Sequence, residues 1–177
     1  LAYMPATIGV DYFNTTFLQE VVLDRETAGE AHFYNMKNGT RANSVQVQLD
    51  LEPARRTDIR IAYRRFDVST LYRAAPSMFW QEGRLDKPFI SKDRAFINFT
   101  QKTRTDWQFS TTATWYGPQR IAGKFENKAF NTIEPVYSPN FALINAQISK
   151  TIKKQFEVYL GIENMLDYRQ QDPIQEA

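Results

Sequence analysis

The sequence predicts an all-β fold, an antiparallel up-and-down meander of about seven strands that forms a segment of a transmembrane β-barrel. Apolar and polar residues alternate through most segments, and this period of two is typical of strands. Short polar turns alternate with long connections along the chain. No apolar run approaches the roughly 18 residues of a transmembrane helix, but a strand can cross a membrane with only alternate residues apolar.

The predicted strands follow one another along the chain. Residues 7–24 are predicted as a single long strand, with a bend allowed. Residues 32–36 begin a returning strand, which Asn38-Gly39 interrupts because Asn-Gly is a strong turn signal. The remaining strands are predicted at residues 44–51, 59–64, 95–101, 106–116, 142–149 and 156–163.

The predicted connections differ in length from one to the next. Short turns are predicted around Pro53, Thr103 and Lys153. Long loops are predicted at residues 25–43, 71–91, 117–140 and 164–177. Outer-membrane barrels have short periplasmic turns and long extracellular loops, whereas a soluble meander has no physical reason to sort its connections this way. The alternation therefore favours a barrel in the outer membrane.

One face of the predicted strands is apolar and is expected to contact lipid. Trp107 and Trp115 share a strand face eight residues apart, which is about 26 Å along a strand. The apolar band of such a barrel is about 25 Å tall and is flanked by aromatic girdles, so these two rings are predicted to mark the membrane interfaces. The alternative is that they are tryptophans of a soluble sheet. The residues predicted to face lipid are Val45, Val47, Leu49, Ile59, Ile61, Phe109, Ala113, Ile144, Ile148, Val158 and Leu160.

The opposite strand faces are polar and are expected to line a lumen, because charged side chains are costly in lipid. The long loops carry aromatic residues that are candidates for the mouth where a substrate first binds. The alternative is that these rings pack against neighbouring loops. The candidates are Tyr72, Phe79, Trp80, Tyr116, Phe125 and Tyr137.

Composition gives no support to several other functions. The net charge is only +2 and the basic residues are dispersed, so no nucleic-acid partner is predicted. The chain has no cysteine and a single histidine, His32, so neither a disulfide framework nor a metal site is predicted. No phosphate-binding glycine loop, nucleophile motif or carboxylate pair is present. We therefore predict no catalytic residues, no cofactor and no enzymatic activity.

Short motifs in the chain resemble a known family. Residues Glu163-Asn164-Met165-Leu166-Asp167-Tyr168, and the tail from Tyr168 to Ile174, resemble the C-terminal end of TonB-dependent outer-membrane receptors of the Bacteroidetes type. The segments at residues 11–17 and 33–36 also resemble parts of those barrels. Each motif is weak alone, but their order and spacing together are more specific.

The resemblance implies active uptake of a scarce nutrient, such as a ferric siderophore, cobalamin or a glycan, across the outer membrane of a Gram-negative bacterium. It implies outer-membrane lipid, a plug domain in the lumen, the TonB complex acting through that plug, and a surface lipoprotein as partners. In the family a plug domain precedes this region and a closing strand follows it. Residues 1–177 are therefore expected to be a partial transmembrane β-barrel without either part.

Two other interpretations of the strand pattern stay open. A small self-contained outer-membrane β-barrel needs an even number of strands and a closing strand. A soluble antiparallel lipid-binding β-barrel needs its apolar residues to face a central cavity, and it needs no aromatic girdle.

Overall fold

A computed structural model describes residues 4–27, 29–73, 83–128 and 132–170 of the chain. The described residues form β-strands and connections, which confirms the predicted all-β class. The strands are β1 (Ala6–Thr16), β2 (Gln19–Asp24), β3 (His32–Lys37), β4 (Thr40–Ala54), β5 (Thr57–Tyr72), β6 (Gly83–Asp86), β7 (Asp93–Lys102), β8 (Trp107–Tyr116), β9 (Arg120–Lys128), β10 (Thr132–Tyr137), β11 (Phe141–Ile152) and β12 (Phe156–Ile162).

One large antiparallel sheet organises the chain. Its strands pair in the order β1-β4-β5-β7-β8-β11-β12, and β6 pairs with the end of β5. This path follows the chain direction and confirms the predicted up-and-down meander. Two hairpins, β2–β3 and β9–β10, form separate two-stranded sheets within the long connections.

The short turns all lie at one end of the main sheet. The β4–β5 turn is formed by Arg55 and Arg56, and Arg56 takes the left-handed conformation at φ 68°. Before it, the pairing register shifts between Leu51 and Ala54, where Pro53 lacks the N–H that a regular ladder requires. The β7–β8 and β11–β12 turns lie at the same end. Two antiparallel strands of the main sheet separate each short turn from the next, so the chain runs away from this end along one strand and returns along the other.

The long connections lie at the other end and contain more strand than the sequence predicts. Residues 7–24 form two strands rather than one, since β1 pairs with β4 whereas β2 pairs with β3. Within the predicted connection at 25–43, β3 lies where residues 32–36 are predicted to begin a strand, whereas the predicted loops at 71–91 and 117–140 contain β6 and the β9–β10 hairpin respectively. These elements are short, and each pairs mainly with a strand close to it in the chain, so their alternating patterns are too brief to recognise.

The buried core is small and lies beside the long connections rather than under the sheet. Val22, Met36 and Tyr72 form it, with Tyr34 and Leu85 packed against them. Along the main sheet, every residue of β1 and of β12 is exposed. The described residues therefore leave the two faces of the main sheet largely uncovered.

Candidate functional site: a two-faced sheet and its cap

The pairing register brings apolar residues together on one face of the main sheet. Directly paired residues share a face, so each row across the strands can be followed from the register. The central row is Ile8, Leu49, Ile61, Ile97, Ala113 and Ile144. Rows on either side include Val10, Val47, Tyr63, Ala95, Trp115 and Ala142, and then Ala6, Leu51, Ile59, Phe99, Thr111, Ala146 and Ile162. We call this face the apolar belt.

The belt contains every residue that the sequence predicts to face lipid. Phe109, Ile148 and Leu160 form a further row, and Val158 pairs with Lys150 beside it. Many large apolar residues of the belt are exposed, among them Val47 at 37% and Leu160 at 74%, whereas others such as Leu49 and Ile144 are half-buried. A contiguous exposed apolar surface of this kind marks contact with lipid or with another polypeptide.

Trp107 and Trp115 lie at opposite ends of β8 on the belt face. Trp115 pairs with Ala95 and Ala142, so small residues flank its ring. Trp107 pairs with Lys150, whose Nζ lies 4.5 Å from the centre of a ring of the indole. The lysine charge therefore lies over the indole in a cation–π contact, and an amphipathic pair of this kind is typical of a boundary between apolar and polar surroundings.

The opposite face of the same strands carries a hydrogen-bonded polar network. Asp50 accepts bonds from Arg60 Nε at 2.5 Å and from Gln48 Nε2 at 2.7 Å. Asn98 Nδ2 on β7 donates to Thr112 Oγ1 on the neighbouring strand β8 at 2.8 Å. Hollows of about 600 and 220 Å³ open mainly onto this polar face. It is therefore the side on which a ligand or another chain segment has room.

A ladder of aromatic rings crosses the polar face near the long connections. Tyr116 stacks on Phe141 with centroids 4.9 Å apart, and Phe141 stacks on Tyr168 at 4.7 Å. Arg94 places its guanidinium 4.7 Å from the Tyr116 ring centre. The row therefore combines a cation with three stacked rings, an arrangement that the sequence did not predict because Tyr168 is far from Tyr116 in the chain.

Asn164 holds the last ring of this ladder in place. Its Nδ2 donates to the Tyr168 carbonyl and its Oδ1 accepts from the Tyr168 amide, each at 3.0 Å. Its own amide donates to Asn145 Oδ1 at 2.8 Å, and it adopts φ 50°, a conformation that asparagine tolerates better than most residues. The motif from Glu163 to Tyr168 thus has a structural role, which is to return the chain over the polar face.

The long connections pack together into a folded unit, which we call the cap and which comprises β2, β3, β6, β9 and β10. Arg120 at the start of β9 donates from Nη1 and Nη2 to the Glu26 carboxylate at 2.8 and 2.6 Å. Its Nε donates to the Asp86 carbonyl at 2.5 Å. The side chains of Arg120 and Glu26 are 0% and 3% exposed. One guanidinium therefore joins all three long connections in a buried site.

Gly123 and Tyr137 complete the polar contacts of the cap. The Gly123 amide donates to Glu26 Oε2 at 3.2 Å. Tyr137 Oη donates to Asp86 Oδ2 at 2.6 Å, and Lys92 Nζ pairs with Asp86 Oδ1 at 2.9 Å. Partial burial, with the added hydrogen bond to Asp86, raises the pKa of Tyr137 to about 12. The network links β10 to the end of β6 and so fixes two connections against each other.

The structure separates the aromatic residues predicted for a substrate mouth. Tyr72 ends β5 and is buried in the core, with its ring 5.5 Å from the Arg120 guanidinium, so it does not lie on an exposed loop. Tyr116 belongs to the stacked ladder on the polar face. Phe125 pairs with Pro135 within the β9–β10 hairpin, and Tyr137 is 43% exposed in the cap. Phe79 and Trp80 lie outside the described residues.

The residues that organise the cap carry no signal in the sequence. Glu26 and Arg120 are 94 residues apart in the chain, and each belongs to a segment predicted as loop. His32 pairs with Glu30 at 2.8 Å on the surface. Within the described ranges, no group of three or more histidine, cysteine, aspartate or glutamate side chains could hold a metal ion. The same ranges contain no helix of the length and apolarity needed to cross a membrane.

Comparisons with protein-family models, with curated proteins and with solved structures gave no match to this chain.

Proposed function

We propose that this chain is part of the barrel of a TonB-dependent outer-membrane receptor that takes up a scarce nutrient. The observation that carries the proposal is the apolar belt, an exposed face that runs across all seven strands of the main path and has a tryptophan at each end of β8. The motif from Glu163 to Tyr168 supports this family over other barrels.

The distribution of polar groups also supports a barrel with a polar interior. In a soluble lipid-binding barrel the apolar side chains would line the interior. Here the hollows open mainly onto the polar face, where Asp50, Arg60 and Asn98 lie. A plug domain would find hydrogen-bonding partners on such a face, whereas the belt would remain available to lipid.

The cap supports an outward-facing role for the long connections. The short turns, at the opposite end of the sheet, suit the periplasmic side. A buried ion pair between Arg120 and Glu26 orders the cap so that it can present a defined surface. In the proposed receptor, this surface and the ladder of Tyr116, Phe141 and Tyr168 would be the first parts of this chain to meet a substrate.

Spin labelling of single cysteines tests the membrane orientation; residues 1–177 contain no cysteine, and any cysteine elsewhere in the polypeptide is first replaced by serine. The substitutions are Ile97→Cys, Asn98→Cys, Phe99→Cys and Thr100→Cys along β7, in the whole receptor polypeptide reconstituted in liposomes. Labels at 97 and 99 should be relaxed by oxygen, which partitions into lipid. Labels at 98 and 100 should be relaxed by a water-soluble nickel complex instead. Equal accessibility at all four positions would refute the orientation.

Growth of the source bacterium tests the uptake function separately. Deletion of the gene should abolish growth when one nutrient is limiting, and the intact gene should restore it. A variant in which the TonB-contacting segment of the polypeptide is removed should fail to restore growth although it reaches the outer membrane. Restoration by that variant would support a passive barrel, the self-contained alternative.

A further inference from the structure

Two arginines face each other across neighbouring strands on the polar face. Arg64 on β5 pairs directly with Arg94 on β7. Like charges directly opposite each other destabilise a sheet. Among the described residues, neither guanidinium has a carboxylate within ion-pair distance. The acidic residue of the same row, Asp11, is separated from Arg64 by Gln46.

Aromatic rings hold both guanidiniums in defined positions. Arg64 lies 5.0 Å from the centre of the Phe66 ring, and Arg94 lies 4.7 Å from that of Tyr116. A guanidinium that stacks on a ring keeps its in-plane N–H donors available. These donors form a planar fork that matches the oxygens of a carboxylate or phosphate.

Both arginines line one hollow. It has a volume of about 220 Å³ and is also lined by Gln46, Ala62 and Phe96. A water molecule occupies about 30 Å³ in the liquid, so the hollow can hold a carboxylate or phosphate group with a few waters. Gln46 adds an amide that can donate a further hydrogen bond.

We propose that Arg64 and Arg94 form a binding site for an oxyanion, a carboxylate or phosphate group, on the polar face of the sheet. The group would neutralise the repulsion between the guanidiniums and accept bonds from both. It can belong to a soluble anion or to an acidic side chain of another part of the polypeptide. The site does not depend on the belt lying in lipid, so it can stand if the spin-label test fails.

Thermal unfolding of the intact polypeptide with inorganic phosphate tests the site. Sodium chloride at equal ionic strength is the reference, since it screens charge without offering an oxyanion. Phosphate should raise the unfolding midpoint, because a ligand that binds only the folded state stabilises it. The double variant Arg64→Gln/Arg94→Gln should bind phosphate at least about tenfold more weakly, since hydrogen bonds to charged groups are among the strong ones.

The matched control is Arg65→Gln. It removes one positive charge from the same strand, but Arg65 lies on the belt face and pairs with Asp93 at 3.2 Å. This variant should keep the response to phosphate. A phosphate response that persists unchanged in the double variant would show an adventitious site elsewhere and would overturn the proposal.

The stability of the double variant without phosphate identifies the source of the oxyanion. If an acidic side chain of the polypeptide fills the site, added phosphate will have little effect, and the double variant will unfold at a lower temperature than the Arg65→Gln variant. If nothing fills the site, removal of two repelling charges will leave stability unchanged or raise it. That result, together with no response to phosphate, would overturn the proposal.

Discussion

The Arg120 guanidinium and the Glu26 carboxylate form a buried ion pair with two hydrogen bonds between segments 94 residues apart. Asp86 contributes its carbonyl to the same guanidinium, so one side chain connects the three long connections. The cap therefore depends on a polar contact, whereas its apolar core of Val22, Met36 and Tyr72 is small.

Replacement of either partner of this pair should destabilise the cap strongly. Glu26→Gln or Arg120→Met leaves one charge buried without its partner, which costs about 3–5 kcal/mol. The double variant Glu26→Met/Arg120→Met should recover much of this loss, because neither charge remains. Hydrogen exchange of the cap amides would measure the effect. An unchanged exchange rate in the single variants would contradict a central role for the pair. The control variant is Arg169→Gln, which breaks an exposed ion pair with Asp167 and should leave the exchange of the cap amides unchanged.

Substitution of Gly123 by alanine should also loosen the cap. Gly123 adopts φ 67°, and a Cβ there would lie 3.2 Å from the carbonyl oxygens of Arg25 and Glu26. The strain and the crowding together should cost about 1–3 kcal/mol. Gly9→Ala is the matched control, since a Cβ at Gly9 would meet no atom within 4 Å. Urea unfolding of both variants would compare them, and equal midpoints would refute the prediction.

A lysine in the belt should be far more costly than a lysine on the polar face. Ile97→Lys places a charge in the central belt row and should cost about 2–4 kcal/mol if that row lies near the bilayer midplane. Asn98→Lys, the neighbouring position on the polar face, should have little effect. The measurement is folding into liposomes against a urea gradient. Equal losses in the two variants would argue against lipid contact.

Loss of the Asn164 side chain should release Tyr168 from the aromatic ladder. Asn164→Ala removes two side-chain hydrogen bonds and places alanine at φ 50°, which together should cost about 1–3 kcal/mol. The ring-current shifts of Phe141 and Tyr168 in NMR spectra would report separation of the rings. Asp167→Asn keeps a residue that tolerates its φ of 47° and should leave the ladder intact. Unaltered shifts in Asn164→Ala would refute this role.

The cap should lose stability at alkaline pH because of Tyr137. Its pKa is raised to about 12 in the folded protein from an unfolded value of about 10, so the folded state holds the proton more tightly. The stabilisation is complete below about pH 10 and is lost as the pH rises to about 12. Tyr137→Phe should reduce this dependence. Unfolding midpoints measured from pH 9 to pH 12 would test it, and identical slopes in both proteins would contradict it.

The main sheet could be predicted from the sequence because its strands are long and alternate regularly. Residues 106–116 were predicted as a strand, and β8 occupies Trp107–Tyr116. The alternation also assigned the belt residues to one face, since a period of two fixes which side chains point together. Pairing across strands, as between Leu49 and Ile61, then follows from the short turns that set the register.

The cap could not be predicted, because its structure depends on contacts between distant segments. Residues 117–140 contain Pro118, Pro135 and Pro139, and these prolines favour a loop. The structure instead forms the β9–β10 hairpin there, with Pro135 opposite Phe125. Arg120 starts β9 and is held by Glu26, and no local pattern could indicate that partner.

The sequence by itself determined the all-β class, the order of the main strands and the division of the sheet into apolar and polar faces, because side-chain period and turn chemistry are local properties. Only the tertiary structure decided that Tyr72 is buried, that Arg64 faces Arg94, and that Tyr168 stacks on Phe141 over the polar face. These relationships join residues far apart in the chain, and they arise only when strand register and packing bring the residues into contact.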